Sequence, residues 1–562
     1  MNVVTLILAA IVVSVLGYRF YAKFLALAVF APIRELDSHD DQGERRQSTK
    51  DFVVVFLHHA AVICGGTTII GAAIAAAWGW APAFLWIITG SVVAAGTFMI
   101  GNLWIAREIR VSSAGEIVSS ILGMRAAIIF YALSLLLFSL LCAILAVLIG
   151  EVLAAYPEAS WAFLLQLPIA VLVAGYLHRS IGAAAAVGLV IICILLIFGL
   201  RVPLAVEGYF DFLIGDQSLS VLGGEFVWTV VALLLAFFTV YVASPQIGRA
   251  RGYLCGLMLL IALGVAMAGM LVAHPTLVAP AYNAQESIPA PIPLLFLAVT
   301  GGALAGFHAL VTNTTGVVRL KSKQANIVGY GGALVDGLLA LTALVIATAG
   351  FVDTTEWELA YPGWPDTVTL QRWLMQYIDG FARFAAAFGL SVELSATFAA
   401  FVVTSLALST LEAGLRAQRA IIQEIGKGLS WQPLLRSRGQ ILPVLLTVTL
   451  LAIYLAQGHN GLPVWLLLGG LNQIVAGAML LVLLITLAHL NRPWAMVAAP
   501  LILILIVSLW GLVVSLVQWW IKAMWLPFGL GVAVLILGSW LLIEGGYSIY
   551  HHLYGRTPTP TN

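Results

Sequence analysis

Two adjacent histidines, His58 and His59, lie in an apolar segment that is long enough to cross a membrane. About two turns later the same segment contains four residues that favour a break in a helix: Gly65, Gly66, Thr67 and Thr68. Because a bilayer offers no hydrogen-bond partners, irregular backbone at this depth is typical of a substrate or ion pathway. A helix that restarts here would expose free N–H groups suited to a carboxylate, so we predict a substrate-binding site. The alternatives are close helix packing through small residues and neutral histidines bonded to backbone carbonyls.

A second set of polar residues is predicted to handle a coupling ion. His308 lies near the middle of another apolar span, and Thr312, Asn313 and Thr315 follow it. Asp336 lies inside the next span, where a charged carboxylate is costly unless it is protonated or paired. Histidine and aspartate suit a proton, whereas hydroxyl and amide oxygens suit Na⁺. The alternative for each residue is an interhelical hydrogen bond.

Three further residues are predicted to line the substrate site. Ser244 precedes Pro245 at the end of an apolar span, where proline favours either a second helix break or an ordinary helix end. Asn472 and Gln473 are adjacent amides in an otherwise apolar span, and their alternative role is to hold helices together.

The composition predicts a polytopic membrane protein. Of the 562 residues, 62% are hydrophobic and 9% are charged, and the mean hydropathy is +1.05. The formal net charge of +1 and the lack of a separate basic domain argue against nucleic acid as a partner. Four widely spaced cysteines in apolar spans form no CxxC pair, so we expect no metal site and no cofactor.

The apolar runs predict about fifteen membrane spans. Their approximate bounds are 3–22, 53–78, 83–106, 126–154, 161–177, 181–201, 224–244, 253–273, 292–316, 327–350, 393–415, 440–457, 462–488, 495–518 and 525–546. If the N-terminus is outside, 22 of the 26 lysines and arginines fall on one side, and Arg201, Arg372, Arg383 and Lys522 fall on the other. Since positive charge marks the cytoplasmic face, the N-terminus is predicted to be outside and the C-terminus inside.

The orientation predicts three regions. Residues 1–52 form a peripheral helix and a cytoplasmic loop, and residues 429–562 form four C-terminal spans. Residues 53–428 form a ten-helix transport core with a cytoplasmic amphipathic helix at its end. Within the core, the segments 53–201 and 224–415 have opposite orientations, as an inverted repeat requires.

Several stretches, taken in order, resemble the carbon starvation protein A (CstA) family of bacterial inner-membrane transporters. They are YRFYAKFLA, the segment 56–100 that begins FLHHAAVICGG, SSAGEIVSSILG, GGALAGFHALVTNTT, IVGYGGALVDG, LEAGLRAQRAIIQEIG and LLLGGLNQIVAGAMLL. The resemblance implies an all-α, LeuT-like five-plus-five inverted repeat of the amino acid–polyamine–organocation superfamily. It also implies ion-coupled uptake of peptides or pyruvate across the inner membrane by alternating access, with a periplasmic N-terminus.

The chain departs from the family pattern at three places in the predicted sites. Residues 64–68 replace an alanine-glycine run that ends in proline, and residues 244–247 replace a Pro-Arg-Asp-Tyr sequence. Residues 312–317 replace a serine-glycine-threonine-threonine-proline-lysine sequence.

The leading hypothesis is therefore a secondary transporter, not an enzyme, of small organic anions or short peptides. Its partners would be the substrate, H⁺ or Na⁺ and membrane lipid. One alternative is a non-transporting subunit that associates with other membrane subunits. Another is a haem or metal enzyme that uses His58, His59, His178, His274 or His308; the histidines lack the paired spacing of a bis-histidine haem site.

Overall fold

The computed structural model describes residues 2–31, 49–109, 113–177, 179–206, 223–242, 244–312, 315–364, 370–456 and 461–554. The helices of the first half are α1 (Val3–Val29), α2 (Thr49–Ile63), α3 (Gly66–Ala75), α4 (Trp80–Ile109), α5 (Ala114–Leu122), α6 (Met124–Ala155), α7 (Ser160–Leu177), α8 (Ile181–Arg201), α9 (Gly224–Tyr241) and α10 (Pro245–Ala273). Those of the second half are α11 (Pro291–Ala298), α12 (Gly306–Thr312), α13 (Ser322–Ala349), α14 (Thr354–Ala360), α15 (Leu370–Ala386), α16 (Val392–Gly428), α17 (Gln432–Leu435), α18 (Ser437–Ala456), α19 (Gly461–His489), α20 (Ala495–Ile521) and α21 (Trp525–Tyr554).

The predicted all-α polytopic class is confirmed. Among the described residues, 12 helices are long and apolar enough to cross a membrane, or 13 if the bent pair α2–α3 is one span. Two further predicted spans correspond to the short helices α11 and α12 and to the shorter apolar helix Gln440–Leu455 within α18. The full count of fifteen remains a prediction.

The predicted helix break at residues 65–68 is confirmed. The chain bends by 46° between α2 and α3, and Gly65 has an extended backbone with φ −93° and ψ −178°. A continuous helix would use the carbonyl of Val62 internally, but here Thr410 of α16 donates its hydroxyl to it at 2.8 Å. A Cβ on Gly65 would lie 2.7 Å from the Thr410 hydroxyl, so the glycine permits this close approach.

A second helix break lies where one continuous span was expected. The prediction of an unbroken helix over residues 292–316 is wrong, since α11 ends at Ala298 and α12 begins at Gly306. Between them Gly302 has φ +76°, a conformation that glycine adopts without strain. A Cβ on Gly301 would lie 2.8 Å from the Cα of Thr68, so the two breaks pack against each other.

The chain turns at Ser244–Pro245, but this turn separates two complete helices. α9 ends at Tyr241, and α10 begins with Pro245 in its first turn, where the missing N–H costs nothing. The ordinary helix end is therefore the interpretation that the structure favours. α10 also begins before the predicted residue 253, which brings the arginines of residues 249 and 251 into the helix.

The most buried helices form the centre of the molecule. Among the membrane-length helices they are α4, α6, α13, α16 and α19, whereas most residues of α1, α8 and α21 are not buried, as in helices that face lipid. α16 continues through residues 412–428, which were predicted as a separate amphipathic helix, without interruption. The two helix breaks contact several of the central helices, which hold them in place.

Candidate functional site

The carboxylate of Asp336 joins the two helix breaks. Asp336 lies on α13 and is 1% exposed. Thr68, in the first turn of α3, donates its hydroxyl to Oδ1 at 2.6 Å, and the backbone N–H of Gly302 donates to Oδ2 at 2.7 Å. His308 of α12 places its Nε2 3.7 Å from Oδ2, which is beyond hydrogen-bond length. One side chain therefore contacts residues of both interrupted elements.

His59 extends this group of residues toward α2. Its Nδ1 lies 3.2 Å from the hydroxyl of Thr315, and that hydroxyl donates to the carbonyl of Thr312 at 2.8 Å. Because the threonine proton is already used, Nδ1 of His59 must be the donor and Nε2 is left as an acceptor. Thr312 in turn donates its hydroxyl to the carbonyl of His308. We call His59, Thr68, His308, Thr315 and Asp336 the Asp336 cluster.

Within the described residues, several polar atoms of the Asp336 cluster have no hydrogen-bond partner. They are Nε2 of His59 and both ring nitrogens of His308, and the neighbouring hydroxyl of Thr67 is also unpartnered. Buried polar groups are normally hydrogen-bonded, so unpaired donors and acceptors around one buried carboxylate are typical of a site that binds an ion or a polar ligand. A proton or a cation at Asp336 would remove the cost of its buried charge.

The start of α3 offers positive partial charge next to Asp336. The first N–H groups of a helix have no partner within it, and the aligned peptide dipoles make this end favourable for an anion. Thr68 belongs to this first turn and also contacts Asp336, so an anion bound here would lie close to the aspartate. Residues 66–75 are all buried, which separates this end from bulk water.

Asn472 and Gln473 support the second break. Asn472 accepts a hydrogen bond from the N–H of Phe307 at 2.9 Å and donates to the hydroxyl of Thr300 at 3.1 Å. Gln473 donates to the carbonyls of Phe296 and Leu304 at 3.2 and 3.3 Å. The two amides therefore satisfy backbone groups that the interrupted helix leaves free, which is the helix-holding alternative rather than direct contact with a ligand.

His58 and Ser244 do not join the Asp336 cluster. His58 is buried against Gly252 of α10, and its Nδ1 has no partner among the described residues. Ser244 is exposed at the start of α10. Asn313 lies outside the described residues. The site role predicted for these three positions stays a prediction.

The far end of α3 is covered by the segment around α14. Tyr361, just after α14, donates its hydroxyl to the carbonyl of Ala73 at 3.0 Å, and Trp78 donates to the carbonyl of Pro289 at 2.7 Å.

Glu356 of α14 accepts from the N–H of Val352 at 2.6 Å and pairs with Arg383 of α15 at 3.1 Å. The backbone hydrogen bond and then the arginine lower the pKa of Glu356 below its ordinary value.

The sequence interpretation missed a buried ion pair. The i,i+4 spacing of Glu412 and Arg416 predicts an ordinary pair at the cytoplasmic surface, but Glu412 is 1% exposed and lies 2.8 Å from Arg251 of α10. Proline at the first helical position could have indicated that α10 begins at Pro245 and contains Arg251. Within the described part of the chain, no three His, Cys, Asp or Glu side chains form a group that could hold a metal ion.

Comparisons with known proteins agree with a transporter fold. The family profile described as "Carbon starvation protein CstA" matches residues 2–357 and 374–511. The "Peptide transporter CstA" of Mycobacterium tuberculosis (strain ATCC 25618 / H37Rv) is 27% identical over 363 residues, which cover 62% of this chain and 46% of that protein. The "Pyruvate/proton symporter BtsT" of Escherichia coli (strain K12) is 25% identical over 356 residues, which cover 61% and 48%. The chain thus aligns with less than half the length of each of these relatives.

A solved structure shares the fold. The crystal structure of a mutant of the Eremococcus coleocola manganese transporter superposes with a TM-score of 0.52 at 14% identity and covers 91% of this chain and 99% of that one. The fold is therefore that of a multi-pass helical membrane transporter. Within that class, the chain belongs to the CstA family.

Proposed function

We propose that this protein is a secondary-active transporter of the bacterial inner membrane. It takes up a small organic anion or short peptide, of the pyruvate or peptide type, together with a coupling ion. The names of its relatives support the substrate class. The observation that carries the proposal is the position of the Asp336 carboxylate, which contacts Thr68 at one helix break and Gly302 at the other.

The proposed coupling follows from repulsion between like charges. A substrate carboxylate at the start of α3 would lie near the Asp336 carboxylate, because Thr68 of that turn is 2.6 Å from it. Two anions in a low-dielectric interior repel strongly, so the substrate binds well only when Asp336 is neutralised. Binding of substrate and of the ion therefore favour each other, and this reciprocity makes the transporter a symporter.

The coupling ion is most simply a proton. Asp336 can be neutralised by a single proton, and His59 and His308 beside it have unpartnered ring nitrogens that could relay one. Na⁺ is the second candidate, because the hydroxyls of Thr312 and Thr315 supply oxygen ligands.

The transport cycle would alternate access around the two breaks. α2, α3, α11 and α12 are short segments that meet at membrane depth, and such elements can tilt without unfolding the long helices around them. The charge distribution supports a periplasmic N-terminus and a cytoplasmic C-terminus. Uptake then begins at the side covered by α14 and ends at the side where α2 begins.

Uptake into proteoliposomes tests this function. The purified protein should accumulate labelled pyruvate or a labelled dipeptide when an inward proton gradient is imposed, and a protonophore should abolish the accumulation. Accumulation that requires a sodium gradient instead would select Na⁺ as the coupling ion. No flux above empty vesicles with any of these substrates, together with stable co-purifying subunits, would support the non-transporting alternative.

A further inference from the structure

A buried cluster of charged residues lies between α10 and α16, apart from the Asp336 cluster. Arg251 of α10 donates to Gln166 of α7 at 3.1 Å and lies 2.8 Å from Oε2 of Glu412. Arg416, one turn after Glu412 on α16, lies 3.5 Å from the same oxygen. Arg251 and Glu412 are almost fully buried, while the side chain of Arg416 is 26% exposed. Two guanidinium groups therefore share one carboxylate oxygen.

This arrangement leaves hydrogen-bonding capacity unused. Nε of Arg251 and Oε1 of Glu412 are buried and have no partner in the part of the chain that the structure describes, and the same holds for Nδ1 of the neighbouring His58. A buried guanidinium is stabilised best when two of its N–H groups donate to the two oxygens of a carboxylate. One oxygen cannot provide this bidentate pairing to two guanidinium groups. Two guanidinium groups on one carboxylate leave the cluster with an excess of positive charge, which a second carboxylate would balance.

Glycines of α10 create the space in which these groups lie. A Cβ on Gly248 would come 2.8 Å from Nη2 of Arg416, and one on Gly252 would come 1.8 Å from Nδ1 of His58. One turn further, a Cβ on Gly256 would come 2.0 Å from the carbonyl of Leu57. α2 therefore packs directly on the backbone of α10, and His58 covers the turn that follows Arg251.

We propose that Arg251 and Arg416 form a second carboxylate-binding subsite, which the substrate occupies when α2 separates from α10. This proposal rests on the proposed function and adds a binding step at the end of the core where α2 begins. α2 carries both the helix break and His58, so its displacement would open the Asp336 cluster and uncover the arginines together. Glu412 competes with the substrate for both guanidiniums, which keeps the affinity low and favours release.

The test compares Arg416→Gln with Arg419→Gln. Arg419 lies on the same helix but bonds Gln440 at 3.2 Å and stacks over Tyr241, so it controls for the loss of a positive charge. The assay uses proteoliposomes of known orientation. When pyruvate is presented on the side where α2 begins, R416Q should raise the KM about tenfold, because one charge-assisted bidentate interaction with the carboxylate is lost. The KM on the opposite side should change less than twofold in both variants.

A second variant and a binding measurement separate the possible failures. Arg416→Lys keeps the charge but loses the fork, so its KM should lie between those of wild type and R416Q. Calorimetric titration of the solubilised protein with pyruvate and with acetate should show weaker binding to R416Q than to R419Q. Weaker binding to R416Q without transport by wild type would leave the subsite standing while the proposed function fails. Equal binding to R416Q and R419Q, equal KM changes on both sides, or no binding to any of the proteins would overturn the subsite.

Discussion

At the residue scale, the site depends on a backbone donor as much as on side chains. The N–H of Gly302 holds one oxygen of Asp336, and its φ of +76° aims that N–H at the carboxylate. A Cβ at this position would lie 2.2 Å from the Cβ of Ala340 on α13. Both the conformation and the close packing therefore require glycine.

Replacement of Gly302 by alanine should damage both stability and transport. The left-handed backbone conformation costs about 1–2 kcal/mol for a residue with a side chain, and the clash with Ala340 adds to it. We expect a lower Tm in detergent and reduced uptake of pyruvate. Gly264→Ala on α10 is the matched control, since a Cβ there meets no described atom outside its own stretch of helix within 4 Å and alanine favours the helix. Equal behaviour of the two variants would contradict the requirement for glycine.

Individual polar residues could be selected from the sequence, but their grouping could not. His59, Thr68, His308, Thr315 and Asp336 were all predicted as site residues because polar groups are costly at membrane depth. Helical spacing relates residues within one helix only, so it could not show that Asp336 contacts both breaks. Arg251 was missed because the start of α10 was placed at residue 253, which left the arginine in a loop.

At the element scale, the two broken helices are the parts that position the site. α2–α3 was predicted from two adjacent glycines in a long apolar run, whereas α11–α12 was not, because its glycines lie in a segment that reads as one continuous span. The second break thus lies in α11–α12 and not at the end of residues 224–244, where an ordinary helix end is found. The two breaks pack against each other where Gly301 approaches Thr68.

Acid should destabilise the packing of the α14 segment over the end of α3. The pKa of Glu356 is lowered in the folded protein, so the stability it contributes is present above the ordinary glutamate pKa of about 4.3 and is lost as the pH falls below it. The side chains of Glu356 and Arg383 are 37% and 47% exposed, so the contribution is small. Between pH 7 and pH 3.5, the Tm of Glu356→Gln should therefore fall less than that of wild type.

The control for this measurement is Glu358→Gln, which changes an exposed glutamate of the same helix. Its Tm should follow that of wild type over the whole range. A loss of Tm in acid that is identical for wild type and E356Q would show that Glu356 does not contribute.

At the scale of the whole molecule, the long buried helices form a frame and the short broken ones are the parts that can move. α6, α13, α16 and α19 surround the breaks, and the cover at α14 and the cluster around Arg251 lie at the two ends of this assembly. The overall helical class followed from composition alone, since only a transmembrane protein accommodates so many apolar spans. Which segments meet at the centre depends on helix packing, which composition does not contain.

The measurement that tests the account most directly compares exchange with accumulation in Asp336→Asn. The amide has the shape of the protonated acid and carries no charge, so the variant should bind substrate without needing a proton. Asp353→Asn is the control, because asparagine also serves as the N-cap of α14. We predict that D336N exchanges pyruvate across the membrane within about threefold of the wild-type rate, independently of pH. It should not accumulate pyruvate against a gradient, and accumulation by D336N at the wild-type level under an imposed proton gradient would contradict the central role of Asp336.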